Sequence, residues 1–238
     1  LHNILLPDGR ELLMIGGVEP RWSTNVLGGD GRQAVVDTAS SQSRGIFRVW
    51  SQPELRPIDY GEGLPYHRAP PQGGAAWIER MDGFAARCEP VGMPGIMATP
   101  YPFEFVDRGS NIQLIGFSNN ARMERTIHLG NGAESESPAL DRFGHSVGRW
   151  ENAQELVVET KQIAWPYFDD SLGTPQSADM EIVEFFTLSD NQSRLDYKMI
   201  VADPATFSEP ATAIQTYRLP LGESLEESSY CADQASVP

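Results

Sequence analysis

From Asn111 to Leu219 the chain alternates apolar and polar residues with a period of two, broken at short intervals by turn-forming residues. Segments 112–117 and 122–129 flank Ser118-Asn119-Asn120, and Gly130-Asn131-Gly132 closes the pair, which is hairpin chemistry. Segments 156–163, 180–188, 194–201 and 212–219 continue the alternation. Ser189-Asp190-Asn191-Gln192-Ser193, then Asp203-Pro204 and Glu209-Pro210, separate the last three. No segment of comparable length carries a helical period, so the pattern predicts an all-β protein with short helical turns at most, for example around 141–143.

Strands that are apolar on one face and adjacent in sequence form meanders, and a long meander must close on itself or pair its edges. The expected architecture is therefore an antiparallel meander closed into a lipocalin-like barrel. A two-sheet β-sandwich is the alternative, and strand counting does not separate the two. The beginning of the chain differs. Pro7-Asp8-Gly9 lies between apolar runs at 4–6 and 12–15, Gly28-Gly29-Asp30-Gly31 interrupts the pattern, and 44–50 reads as the first strand of the main domain. This divides the chain into an N-terminal β segment, 1–43, and a barrel domain, 44–238. The Pro- and Gly-rich stretch 52–74 is expected to cross the surface as an extended connection.

A formal charge of -15, with no basic stripe, makes nucleic acid and anionic membrane surfaces poor partners. The apolar runs are far shorter than the roughly 20 residues that span a bilayer, so no membrane insertion is expected. A chain that begins at Leu1 is expected to be a processed product or a piece of something longer.

Face-splitting of the strands singles out candidate chemistry. Met180, Ile182, Glu184, Phe186 and Leu188 share one face, on which Glu184 is a lone carboxylate. Such a group needs a partner or shifts its pKa, and Arg149 or Arg122 would supply a structural one. In the block from Gly144 to Trp150, His145, Val147 and Arg149 share a face, an arrangement suited to acid–base work by His145 with Arg149 stabilising negative charge. His145, Glu184 and Arg149 are thus the candidate catalytic set. Tyr101 and Glu104 sit in a proline-stiffened block, and Trp165, Tyr167 and Asp169 in an aromatic, acidic loop; these five are candidate ligand-binding residues. The histidines have no metal spacing, two adjacent aspartates are too few for Ca²⁺, and no nucleophile elbow or nucleotide-binding glycine loop is present. No metal and no cofactor are expected.

Three blocks, Cys88-Glu89-Pro90-Val91-Gly92-Met93-Pro94, Pro100-Tyr101-Pro102-Phe103-Glu104 and Gly144-His145-Ser146-Val147-Gly148-Arg149-Trp150, followed by alternating strands, resemble a large family of uncharacterised bacterial envelope proteins. The resemblance implies that residues 1–17 are the tail of a preceding small β domain. It also implies a Cys88–Cys231 disulfide, which in the chain-entropy model would stabilise by roughly 4–5 kcal/mol. A disulfide in turn indicates a periplasmic or secreted location. Where the family has Arg after the strand glutamate, this chain has Phe185. Three functions fit: a barrel binding a small apolar or aromatic molecule, a cofactor-free lyase, isomerase or hydratase using the same pocket, or a structural subunit of an envelope or extracellular assembly, including a homo-oligomer.

Overall fold

The computed structural model describes residues 2–5, 11–14, 45–52, 58–61, 63–67, 87–98, 101–118, 121–130, 140–168 and 174–219. The chain divides into two compact units, Leu1–Thr38 and Ala39–Pro238. In the first, β1 (His2–Leu5) and β2 (Glu11–Met14) pair antiparallel with His2 opposite Met14. That is the expected hairpin, although its Pro7-Asp8-Gly9 turn lies outside the described residues.

The second unit contains β3 (Val49–Trp50), the helical turn α1 (Gly95–Ala98), β4 (Phe103–Asp107), β5 (Asn111–Ser118), β6 (Ala121–Leu129), β7 (His145–Asn152), β8 (Glu155–Lys161), β9 (Glu181–Leu188), β10 (Arg194–Ala202) and β11 (Ala211–Arg218). Strands β3 to β11 form one nine-stranded sheet in sequence order, so the sandwich alternative is not what forms. The sheet is nearly closed into a barrel. Ser51, just after β3, bonds Arg218 at the far edge through both backbone groups, at 2.9 and 2.8 Å. Further on, Asp59 pairs antiparallel with Ile214 of β11 and Tyr66 with Phe207, which precedes β11. The described residues of the stretch expected to be a surface connection, 58–61 and 63–67, are therefore a seam strip, held by backbone pairing and by the buried Ile58.

One junction departs from the expected meander. β6 and β7 pair in parallel, with Ile127 opposite Ser146 and Leu129 opposite Gly148, while all the other pairings of the sheet are antiparallel. Parallel neighbours need a crossover rather than a tight turn, and residues 130–144 supply it. Within that stretch 141–143 make a turn, not a helix, closed by Gly144 N–H donating to Asp141 O at 3.0 Å. Gly144 has φ +71°, and a Cβ there would lie 2.7 Å from Lys161 O, so glycine is required for the entry into β7.

Register identifies the lumen. Gly148, Val158, Glu184, Met199 and Ala213 are successive cross-strand partners, and all are buried. Ser146, Thr160, Ile182, Val201 and Ala211 form the next buried row. Across the lumen from these, β4 contributes Phe103 and Phe105. Their rings join a closed cycle of edge and tilted contacts: Phe103–Phe105 5.6 Å, Phe105–Phe186 5.2 Å, Phe186–Tyr197 5.0 Å, Tyr197–Tyr217 6.1 Å and Tyr217–Phe103 4.8 Å between centroids. A barrel of about eight strands has an interior just wide enough for side chains to fill. Here large rings from opposite walls meet.

The Cys88 to Ala98 segment adds to this core through Val91, Met93, Ile96 and Met97, all buried. Tyr217 Oη donates to Met97 O at 3.1 Å, and Met93 N–H donates to Arg142 O at 3.0 Å. Gly92 packs so tightly that a Cβ would lie 2.4 Å from the Trp165 ring and 2.6 Å from Arg142 O.

Candidate functional site

Glu184 is fully buried, as its otherwise apolar strand face predicts, and it is paired. The partner is not Arg149 or Arg122 but Arg125. Alternation along β6 explains the difference: Ala121, Met123, Arg125 and Ile127 point inward and are buried, whereas Arg122 faces solvent. β7 and β8 separate β6 from β9 in the sheet, so the pair reaches across the barrel interior.

The geometry is bidentate. Arg125 Nη1 donates to Glu184 Oε1 at 3.0 Å, and Nη2 donates to Oε2. Nη2 also donates to Thr160 Oγ1 at 2.8 Å, and Nε to Ser146 Oγ at 3.1 Å. The two hydroxyls lie 3.0 Å apart. Tyr197 Oη donates to Glu184 Oε1 at 3.0 Å. Both charged groups thus have several partners, which is the condition under which a buried ion pair is tolerated. Burial, followed by the neighbouring Glu184 charge, pushes the Tyr197 phenol well above its ordinary range, so it stays protonated and remains a donor. Tyr217 is pushed upward as well, again chiefly by burial.

The expected catalytic set is not brought together. His145 and Arg149 share a face, but that face is outward: β7 buries Ser146 and Gly148 instead, and Glu184 lies on the lumen side with them. Arg149 is exposed and engaged by Glu151 and Glu159, each at 2.6 Å. Those carboxylates hold the guanidinium pKa up, Glu151 first. His145 packs instead against His128, with ring centroids 5.1 Å apart. Burial, with a smaller contribution from His145, lowers the His128 pKa.

The expected ligand-binding residues also scatter. Tyr101 is exposed, and Glu104 is half-buried in β4 opposite Val49 and Ile115. Trp165 is buried in the core, where it meets Tyr167 edge-on at 5.8 Å, with the Arg142 guanidinium 5.6 Å above its ring. It packs as a plug, not as an open wall. Asp169 lies outside the described residues. So does Cys231, while no free cysteine occurs among the described ones.

Sequence reasoning missed a second buried carboxylate. Asp203 accepts hydrogen bonds from Ser177 N at 2.8 Å, Ser177 Oγ at 2.7 Å, Thr206 Oγ1 at 2.9 Å and Ala205 N at 3.2 Å, joining the loop after β10 to the approach to β9. Burial alone would raise its pKa, but the donors outweigh it and the net shift is downward. Asp203-Pro204 reads as turn chemistry, and nothing local marks the aspartate as buried. Among the described residues no group of three or more His, Cys, Asp or Glu is placed to hold a metal ion, and no helix is long and apolar enough to cross a membrane. No protein-family model matches the sequence, and neither does any curated protein.

Proposed function

We propose that this chain is a structural barrel subunit of an envelope or extracellular assembly, acting through its outer surface and not by carrying a small molecule. The observation that carries the reading is the aromatic cycle of Phe103, Phe105, Phe186, Tyr197 and Tyr217, which links opposite walls of the barrel and takes the place of a ligand. Two more features support it. The groups expected to converge on a substrate are split between lumen and exterior. On the outer wall, Phe185, Lys198 and Ile214 are successive cross-strand partners; the Lys198 ammonium lies 5.7 Å from the Phe185 ring centre and Ile214 is half exposed. That gives an outward patch of two apolar side chains around one cation, suited to contact with another subunit.

The oxidising compartment follows from the proposed Cys88–Cys231 disulfide. Its support is the resemblance described above and the absence of a free cysteine among the described residues. Titration of the full chain with a fluorescent apolar probe such as N-phenyl-1-naphthylamine, alongside sedimentation velocity, tests the functional reading. The expected result is no saturable one-per-chain uptake and a particle larger than one chain. Stoichiometric probe binding that changes in Phe186→Ala would overturn it in favour of ligand carriage.

A further inference from the structure

The parallel β6–β7 junction does something that no spacing in the sequence announces: it sets His128 beside His145 on the outward face of the barrel. Ile127 and Ser146 are register partners pointing inward, as are Leu129 and Gly148, so His128 and its partner Val147 point outward, with His145 two residues before Val147 on the same face. The rings lie 5.1 Å apart with 31° between their planes. Asn111 is the register partner of His128 on the other side, and therefore shares that face. Its amide oxygen is buried and has no hydrogen-bond partner. A buried acceptor left unpaired costs free energy and calls for an explanation.

We propose that His128, His145 and Asn111 form a binding site for a divalent transition-metal ion of the Zn²⁺ class. Two imidazoles bound through one nitrogen each to a tetrahedral Zn²⁺ at about 2.0 Å place their ring centres about 5 Å apart. The observed separation fits that arrangement. Imidazole selects Zn²⁺, Ni²⁺ or Cu²⁺, whereas Ca²⁺ and Mg²⁺ take oxygen ligands, so the harder ions are not the match. The Asn111 oxygen supplies a third donor, which gives it the partner it lacks, and water completes the coordination. The other cations near this face are already compensated: Lys161, opposite His145, pairs with Glu181 at 2.8 Å, and Arg149 pairs with Glu151 and Glu159. Three protein ligands with an open position make an exchangeable site, in contrast to a closed structural zinc.

The test uses the full chain stripped with EDTA and titrated with ZnCl₂ by calorimetry. One ion per chain is expected, with affinity falling by more than about tenfold in both His128→Asn and His145→Asn and unchanged in His67→Asn. Cu²⁺ bound at the site should show coupling to two imidazole nitrogens by electron paramagnetic resonance, and to one in either variant. A measurement on the unmodified protein guards against a misfolded variant: Zn²⁺ should protect His128 and His145 from diethyl pyrocarbonate while His67 continues to react. Absence of binding, affinity in the two histidine variants unchanged from that of the parent, or equal reactivity with and without Zn²⁺ overturns the proposal. The second of these outcomes would assign the ion to the acidic surface at large.

Discussion

Two arginine–glutamate pairs in this barrel are alike in chemistry and opposite in setting. Arg149 and Glu159 meet across neighbouring strands on the outside at 2.6 Å; Arg125 and Glu184 meet across the lumen, the Nη1–Oε1 bond being 3.0 Å. Distance alone does not separate them, because the inner pair is bidentate and its second bond, Nη2 to Oε2, is no longer than the outer contact. Solvent does, because water can replace either outer partner, whereas nothing replaces an inner one. The inner pair also draws in Ser146, Thr160 and Tyr197, so its loss would leave several buried groups without partners.

The sharpest way to break the comparison is Glu184→Gln. Leaving the Arg125 charge uncompensated should cost about 3–5 kcal/mol in urea unfolding. The double variant Arg125→Met with Glu184→Leu should recover most of that, since an apolar pair of similar volume is often neutral or better. A single variant within about 0.5 kcal/mol of the parent would show that the pair is not closed off from water.

Asp203 gives the next largest effect and adds a pH signature. Its folded pKa lies below the unfolded value of roughly 3.9, so the folded state binds fewer protons and stability rises with pH through that window. The contribution is complete above the unfolded pKa and lost as pH falls through the folded one. Asp203→Asn should cost about 1.5–3 kcal/mol near neutral pH and flatten the acid limb of a stability–pH curve. An unchanged acid limb would assign that slope to other carboxylates.

Tyr197→Phe removes one donor from Glu184 and should cost about 1–2 kcal/mol. In the parent protein the Tyr197 and Tyr217 phenols, raised by burial, should resist ionisation until the barrel unfolds. Their shared contribution is present below the unfolded tyrosine pKa and is lost as pH climbs through the folded values, so phenolate absorbance at 295 nm should rise in step with unfolding. Smallest of all, Arg149→Ala should stay within about 0.5 kcal/mol. A loss comparable to that of Glu184→Gln would erase the distinction between the two pairs.

Much of this was legible in the chain. Alternation along 180–188 places Glu184 inward, and the same logic applied to 121–129 places Arg125 inward among Ala121, Met123 and Ile127. Two lone opposite charges on apolar faces are natural partners; Arg122 and Arg149 were poorer choices because their faces are polar. The encounter of His128 with His145 was not legible, since a parallel pairing across a crossover leaves no mark in local periodicity. Nor was the seam strip. Proline and glycine composition reads as loop wherever it occurs, and the backbone bonds that Ser51, Asp59 and Tyr66 make to the far edge depend on where that edge lies.

The strip has a consequence for how this protein avoids its own kind. β11 would otherwise present a row of free backbone donors and acceptors, a template on which a second chain could add a strand. Ser51 and Asp59 occupy those groups at Arg218 and Ile214. A protease cut within the strip would therefore do more than loosen a loop. It would expose an adhesive edge and turn a self-contained barrel into a seed for β-strand addition and aggregation.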